Sequence, residues 1–212
     1  MRRALPAGLV AVALLSASFG AHAQTTGDGV YGRFDGDLEL RAQAGAAFAS
    51  GGPGLAAQVS ALYFATAGIY VHYTDACGSG APRVLHSIAT GIHLEPLFLM
   101  RGGVNGERGP AVWDLFIDSL AFELGAVWSA PRGASWDERP GMEAALSLAL
   151  PFVPRATGPF LGLRGALRWR PVDFAPGPPS TIADRGAVLS LTLGWRQILR
   201  THLIDAGDRV VR

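Results

Sequence analysis

Lysine is absent, for all 18 basic residues of the 212 are arginine. That removes every chemistry needing an amine side chain: Schiff bases, Ser–Lys dyads and the phosphate-gripping lysine of P-loops. Cysteine is nearly absent too. Cys77 stands alone in the loop-like run Asp75-Ala76-Cys77-Gly78-Ser79-Gly80, so no disulfide can form within the chain. Charge is scarce, 17% of residues against the ~25% usual for soluble domains. The net charge of +1 gives no electrostatic basis for nucleic-acid binding. There is no HExxH, CxxC or GxSxG, and no GxGxxG at a strand-to-helix junction, so no catalytic motif or cofactor is indicated. Beyond residue 23 no apolar run approaches the ~20 residues of a membrane-spanning helix.

One long apolar run is present, and it comes first. Met1-Arg2-Arg3 gives a positive start, Ala4 to Gly20 is apolar, and Ala21-His22-Ala23 has the small-x-small form of a cleavage site. Residues 1–23 therefore read as a Sec signal peptide; the run is short for a membrane anchor. No Cys follows it, which speaks against a lipoprotein, and the paired arginines lack a Tat context. Residues 24–32 read as a mobile leader, 33–199 as one domain and 200–212 as a tail.

Within the domain the residues alternate. In Asp37-Leu38-Glu39-Leu40-Arg41-Ala42-Gln43-Ala44 polar and apolar side chains take turns, the period of a strand with two different faces. The pattern recurs at Leu55 to Tyr63, Ile69 to Thr74, Val84 to Leu94, Leu120 to Trp128, Met142 to Leu150, Leu161 to Trp169 and Leu189 to Arg196, predicting eight strands. Turn signals separate them at Ser50–Gly54, around Cys77, and over 101–110, 130–141, 154–158 and 171–186. The even count requires a tight turn at Thr66-Ala67-Gly68. Trp113, Phe116, Ile117 and Leu120 recur at helical spacing, predicting a short helix near 112–118 whose apolar stripe packs under the domain.

Eight alternating strands close naturally into an all-β, antiparallel up-and-down barrel, since closure removes exposed edges. A soluble barrel turns its apolar face inward; a membrane barrel turns it outward, with aromatics near both interfaces. The charges decide for the second. Glu39, Arg41, Glu123, Glu143, Arg164, Arg168 and Arg196 share the polar faces, and the opposite faces carry almost no charge. Tyr63, Tyr73, Trp128, Phe152, Trp169 and Trp195 fall at strand ends, as interfacial girdles require.

In these features, and in Leu189-Ser190-Leu191-Thr192-Leu193-Gly194-Trp195, the chain resembles the small eight-stranded outer-membrane barrels of Gram-negative bacteria over about residues 32–199. Gly91-Ile92-His93-Leu94-Glu95-Pro96-Leu97-Phe98-Leu99 and Gly158-Pro159-Phe160-Leu161-Gly162-Leu163-Arg164-Gly165 are similar to phrases in uncharacterised secreted proteins of that kind. The resemblance implies an outer-membrane location, with membrane lipid and the barrel assembly machinery as partners; a periplasmic location is the alternative. One departure is the tail. Such barrels end on an aromatic residue, whereas this chain continues from Trp195 to Arg212.

The inward charges form the first candidate site. Pairing Ala149 with Gly162 sets Ser147 against Arg164 and Glu143 against Arg168, and closure of the first strand on the eighth brings Glu39 and Arg41 to Arg196. Buried charges must pair, so the set reads as a salt-bridge plug or, alternatively, a gated path for a small solute. The second candidate is a metal pair, His72 and His86, which face each other if Asp75 lies opposite Arg83. His86-Ser87 is a poor dyad, because neighbours in a strand point to opposite faces. The expected role is non-enzymatic, structural or interactive, through surface loops. A small-solute pore, a lipid-modifying barrel enzyme and a soluble barrel binding an apolar ligand are the alternatives. A periplasmic N-terminus would put the Cys77 loop outside and the 101–112 connection inside.

Overall fold

The computed structural model describes residues 31–49, 52–76, 84–103, 110–131, 135–136, 138–169 and 186–201. The expected signal peptide, most of the leader, Cys77 and the end of the tail lie outside these. Eight strands, β1 Leu38–Ala49, β2 Gly52–Tyr63, β3 Ala67–Ala76, β4 Val84–Leu94, β5 Ala121–Pro131, β6 Gly141–Pro151, β7 Gly158–Trp169 and β8 Gly186–Leu199, pair in chain order and antiparallel. β8 returns to β1, closing the barrel. Two short helices, α1 Pro96–Gly103 and α2 Ala111–Asp118, fill the connection between β4 and β5. Because the strands run up and down, one end of the barrel carries both helices, the β2–β3 turn and the β6–β7 connection. This helix end stands opposite a loop end.

Alternation along each strand becomes alternation across the wall. On β8, Val188, Ser190, Thr192 and Arg196 are buried inside, and Leu189, Leu191, Leu193 and Trp195 are exposed outside. The other strands follow suit: Leu55, Val59, Ile69, Val71, Ile92, Phe122, Leu124, Leu146, Leu163 and Leu167 all lie on the outer surface. The aromatics sort into two rings. Tyr63, Phe152 and Trp195 stand near the helix end, and Tyr73, Trp128 and Trp169 near the loop end. Inside, alanines and Val188 close the space toward the loop end, where Ala47, Ala56, Ala145, Ala166 and Val188 form one apolar cluster.

Three details depart from the sequence reading. The turn between β2 and β3 lies at Phe64-Ala65, not at Thr66-Ala67-Gly68. Both residues have positive φ, 47° and 52°, and the Thr66 N–H donates to the Tyr63 carbonyl at 3.1 Å. Positive φ at both central residues is a type I′ backbone, here within a three-residue connection, 64–66, because Tyr63 pairs with Ala67, and without the glycine or asparagine that usually marks such a turn. Gly68 instead sits in β3, where a side chain would run into the Ala61 carbonyl of β2. Gly52-Pro53-Gly54, expected as turn, belongs to β2.

The third departure concerns the helices. α1 was not foreseen, and α2 is present but turned the other way. Asp114, Leu115 and Asp118 are buried, while Trp113 and Ile117 are exposed. The acidic residues can turn inward because arginines meet them there. Arg33 donates to Asp118 at 2.8 Å, and Arg101 binds both Asp114 and Asp118. α2 packs on β6 beyond the point where β5 stops pairing with it, at Ala121 and Ser147. Ser119 bridges the gap, its hydroxyl accepting from the Ala149 N–H at 2.8 Å. A backbone stitch completes this end: Asp37 receives the Phe64 N–H at 2.9 Å and, through its side chain, the Thr201 N–H at 2.6 Å.

Candidate functional site: the charged lumen

The β6–β7 register pairs Ala149 with Gly162, and with it Ser147 with Arg164 and Glu143 with Arg168. The Arg168 Nε meets Glu143 at 2.5 Å. Across the β1–β8 seam Arg41 stands opposite Arg196, with Glu39 between their charges: Arg41 binds it, and the Arg196 Nε lies at 3.3 Å. All seven charged residues expected to face inward do so. They fall into two groups, Glu39/Arg41/Arg196 toward the helix end and Glu123/Glu143/Arg164/Arg168 farther up.

Two residues that the sequence reading did not single out join the groups. Glu95, immediately after β4, takes a bidentate pair from Arg41, with the second bond at 2.9 Å. His93 reaches Glu95 with Nε2 at 3.3 Å and Glu123 with Nδ1 at 2.9 Å. Both ring nitrogens thus face carboxylates, and only an imidazolium can donate to both. The outcome is one alternating chain of charges along the lumen: Arg196, Glu39, Arg41, Glu95, His93, Glu123, Arg164, Glu143, Arg168. Neutralisation by alternation is how so many charges can be buried together, since each unpaired one would cost several kcal/mol.

Glu123 is the busiest acceptor, with Gln58 (2.9 Å), His93, Ser147 (3.1 Å) and the Arg164 Nε (2.6 Å) all donating to it. Glu143 also receives the Tyr70 hydroxyl at 3.1 Å. At the top, Arg168 donates to Ser87 at 2.7 Å. Outside the strands, burial would raise Glu95, but the Arg41 charge and the hydrogen bonds from His93 and Arg41 hold it far below the ordinary carboxylate range. Likewise burial would lower Arg101, yet Asp114 and Asp118 hold it above its usual value.

Little space is left among these groups. A void of about 10 Å³, lined by Arg41, Gln43, Gln58, Ser60, His93 and Ser147 among others, has roughly the volume one water needs. Nearby, Glu39 Oε2, Gln58 Oε1 and an Arg196 terminal nitrogen have no hydrogen-bond partner among the described residues.

The metal pair does not form. The β3–β4 register sets His72 opposite Ala89 and His86 opposite Asp75, so the two rings point to opposite sides of the wall. Asp75 would have had to lie opposite Arg83; the pairing is shifted by three residues. His72 Nδ1 faces the guanidinium groups of Arg164 (3.3 Å) and Arg168 (3.4 Å), a site that repels cations. His86 is on the outer face, within 3.0 Å of the Tyr73 hydroxyl. Ser87 points inward, to Thr74 and Arg168, so His86 and Ser87 share no site. Among the described residues no cluster of three or more metal-ligating side chains occurs.

Fold and lining together define a closed eight-stranded barrel, apolar outside and charged within. No protein-family model matches the chain, and no curated protein matches it. Among solved structures, the crystal structure of Neisserial surface protein A (NspA) is similar, with 17% identity and a TM-score of 0.41 over 77% of this chain and 97% of that one. At that identity and score the likeness transfers no residue role.

Proposed function

We propose that the chain is an outer-membrane barrel with a sealed lumen, serving a non-enzymatic, structural or interactive role through the connections at its loop end. The observation that carries this is the reversal of polarity. A barrel in water would hide its apolar residues and expose its charges; here large aliphatic and aromatic side chains cover the outside of every strand, and the charges are inside. A soluble monomer rarely exposes more than a few hundred Å² of contiguous apolar surface, and this belt encircles the molecule. The two aromatic rings bound the belt at the depths where such side chains favour a membrane interface.

The sealed lumen rests on the charge chain, the water-sized void and the Arg33–Asp118 pair at the helix end. A solute path would need that chain to break at several pairs together. A lipid-modifying activity has less support, because Ser87 is engaged by Thr74 and Arg168, and Arg168 also stands against His72, so among the described residues no histidine is hydrogen-bonded to that hydroxyl. We place recognition in the connections at the loop end, because binding residues concentrate in the loops that a rigid scaffold carries.

The test is fractionation of the expressed protein with gel mobility before and after heating, combined with planar-bilayer recording of the purified barrel. The reading expects outer-membrane recovery, a fast unheated band that slows on boiling, and no conductance steps. Recovery in the soluble periplasmic fraction would overturn the membrane placement. Stable steps in the bilayer would overturn the sealed lumen and favour the pore.

A further inference from the structure

The β4–β5 connection repeats in its helices the inversion seen in the barrel. In α1 and α2 the charged residues are Arg101, Asp114 and Asp118. All three turn inward and bind one another or Arg33. The outer side of the same helices is apolar: Leu99 and Met100 on α1 and Trp113 and Ile117 on α2 are exposed, Met100 by 64% and Trp113 by 58%. The inner side also buries Phe98 and Leu115, but it holds all three charges, whereas a helix packed on a protein in water turns its charges outward. Phe34, also exposed, joins this side through ring contacts to Phe98 at 5.5 Å and to Phe64 at 6.4 Å.

This surface is continuous with the belt. Leu94, on the outer face of β4, lies two residues before α1, and Phe122, on the outer face of β5, lies four residues after α2. α2 also packs against the last part of β6, where β5 no longer pairs, so it takes a strand's place beside the wall. From this the geometry points to a membrane partner for the connection itself. α1 and α2 lie in the interfacial layer of the leaflet at the helix end, with Leu99, Met100, Trp113 and Ile117 in the upper acyl region and the Arg101–Asp114–Asp118 cluster turned to the barrel mouth. Trp113 suits that depth, since indole favours the boundary between headgroups and chains. The rim at the helix end is thereby widened by an in-plane anchor, and the arginine–aspartate cluster serves both as plug and as the fastening that orients the helices.

The inference rests on the membrane reading, and one experiment separates the two. Variants retaining a single tryptophan, with Phe at the other four positions, are folded into vesicles whose acyl chains carry bromine at a shallow or a deep carbon. Trp195, in the belt, should be quenched. Trp136, exposed in the connection at the loop end, should not be. Trp113 should lose emission to the shallow bromine more than to the deep one. Quenching of Trp195 without quenching of Trp113 would overturn the interfacial helices and leave the barrel in the membrane. Failure to quench Trp195 would overturn the membrane reading and this inference with it. Trp113 shielded from bromine and from aqueous acrylamide alike would overturn the inference in favour of a second copy of the chain covering the helices. Should the tryptophan variants not fold, a spin label at Met100→Cys in a Cys77→Ser background that keeps all the tryptophans reads the same depth: greater collision with oxygen than with a water-soluble nickel reagent supports the inference, and the reverse overturns it.

Discussion

Replacing Glu123 by alanine removes the acceptor on which most of the lumen converges. Gln58, His93, Ser147 and Arg164 each lose a bond to it. Arg164 keeps Glu143 and His93 keeps Glu95, so neither cation is wholly stranded, but the chain of charges is cut between its two groups. Breaking a buried pair by removing one partner costs ~3–5 kcal/mol. An orphaned buried donor such as the Gln58 amide adds ~1–3 kcal/mol. A loss of ~5 kcal/mol approaches the whole stability of a marginal domain, so the variant should fold poorly or unfold at much lower urea. Glu123→Gln keeps the shape and some hydrogen bonds, and should lose less. Glu123→Ala with Arg164→Ala should lose less than the two single variants together, because they share one bond. Urea titration of the barrel in lipid vesicles, followed by tryptophan emission and by the mobility of unheated samples, measures all four. A loss under ~1 kcal/mol for Glu123→Ala would refute the reasoning, since charges that tolerate it must already be solvated, as in a water-filled lumen.

Other perturbations test separate parts of the account. Leu191→Arg, midway along the outer face of β8, should cost ~2–4 kcal/mol and block assembly, while Ala187→Arg, near the end of the same face, should cost ~0–1 kcal/mol, both read by vesicle refolding yield. Ala65→Gly should stabilise the barrel by ~1 kcal/mol in urea titration, because glycine adopts the positive φ of the β2–β3 turn without strain. Asp118→Ala leaves Arg33 buried without that partner and should speed hydrogen exchange across α2, with little change in the strands at the loop end. A membrane-impermeant thiol label should reach Cys77 on intact cells if the loop end faces outward; labelling only after the outer membrane is opened would reverse the orientation.

The strands and their faces were legible because a period of two leaves one reading for which residues share a side. Glu143 and Arg168 could be paired by counting, since a short connection with Pro154 and Gly158 fixes where β6 turns into β7. The β3–β4 register could not be counted in the same way. Its loop has no sharp marker, and a shift of three residues put His86 against Asp75 instead of His72. His93 and Glu95 escaped notice because β4 is partly apolar on both faces, although they continue the inward parity of Ser87 and Ala89. Phe64-Ala65 carries no turn residue, so the hairpin there is imposed by the strands on either side. The helix near 112–118 was legible by its spacing, but not its orientation. Spacing marks the stripe but not the arginines that wait inside, and Arg33 and Arg101 draw Asp114 and Asp118 inward while Trp113 and Ile117 face out.

The central claim, apolar side to lipid and charge sealed inside, is tested most directly by spin labels placed one at a time along β8 from Val188 to Trp195, in a Cys77→Ser background folded into vesicles. The account predicts a period of two: labels at 189, 191 and 193 collide with oxygen and not with a water-soluble nickel reagent, and labels at 190 and 192 collide with neither. Nickel contact at 189, 191 and 193 would contradict the membrane placement, and nickel contact at 190 and 192 would contradict the sealed lumen.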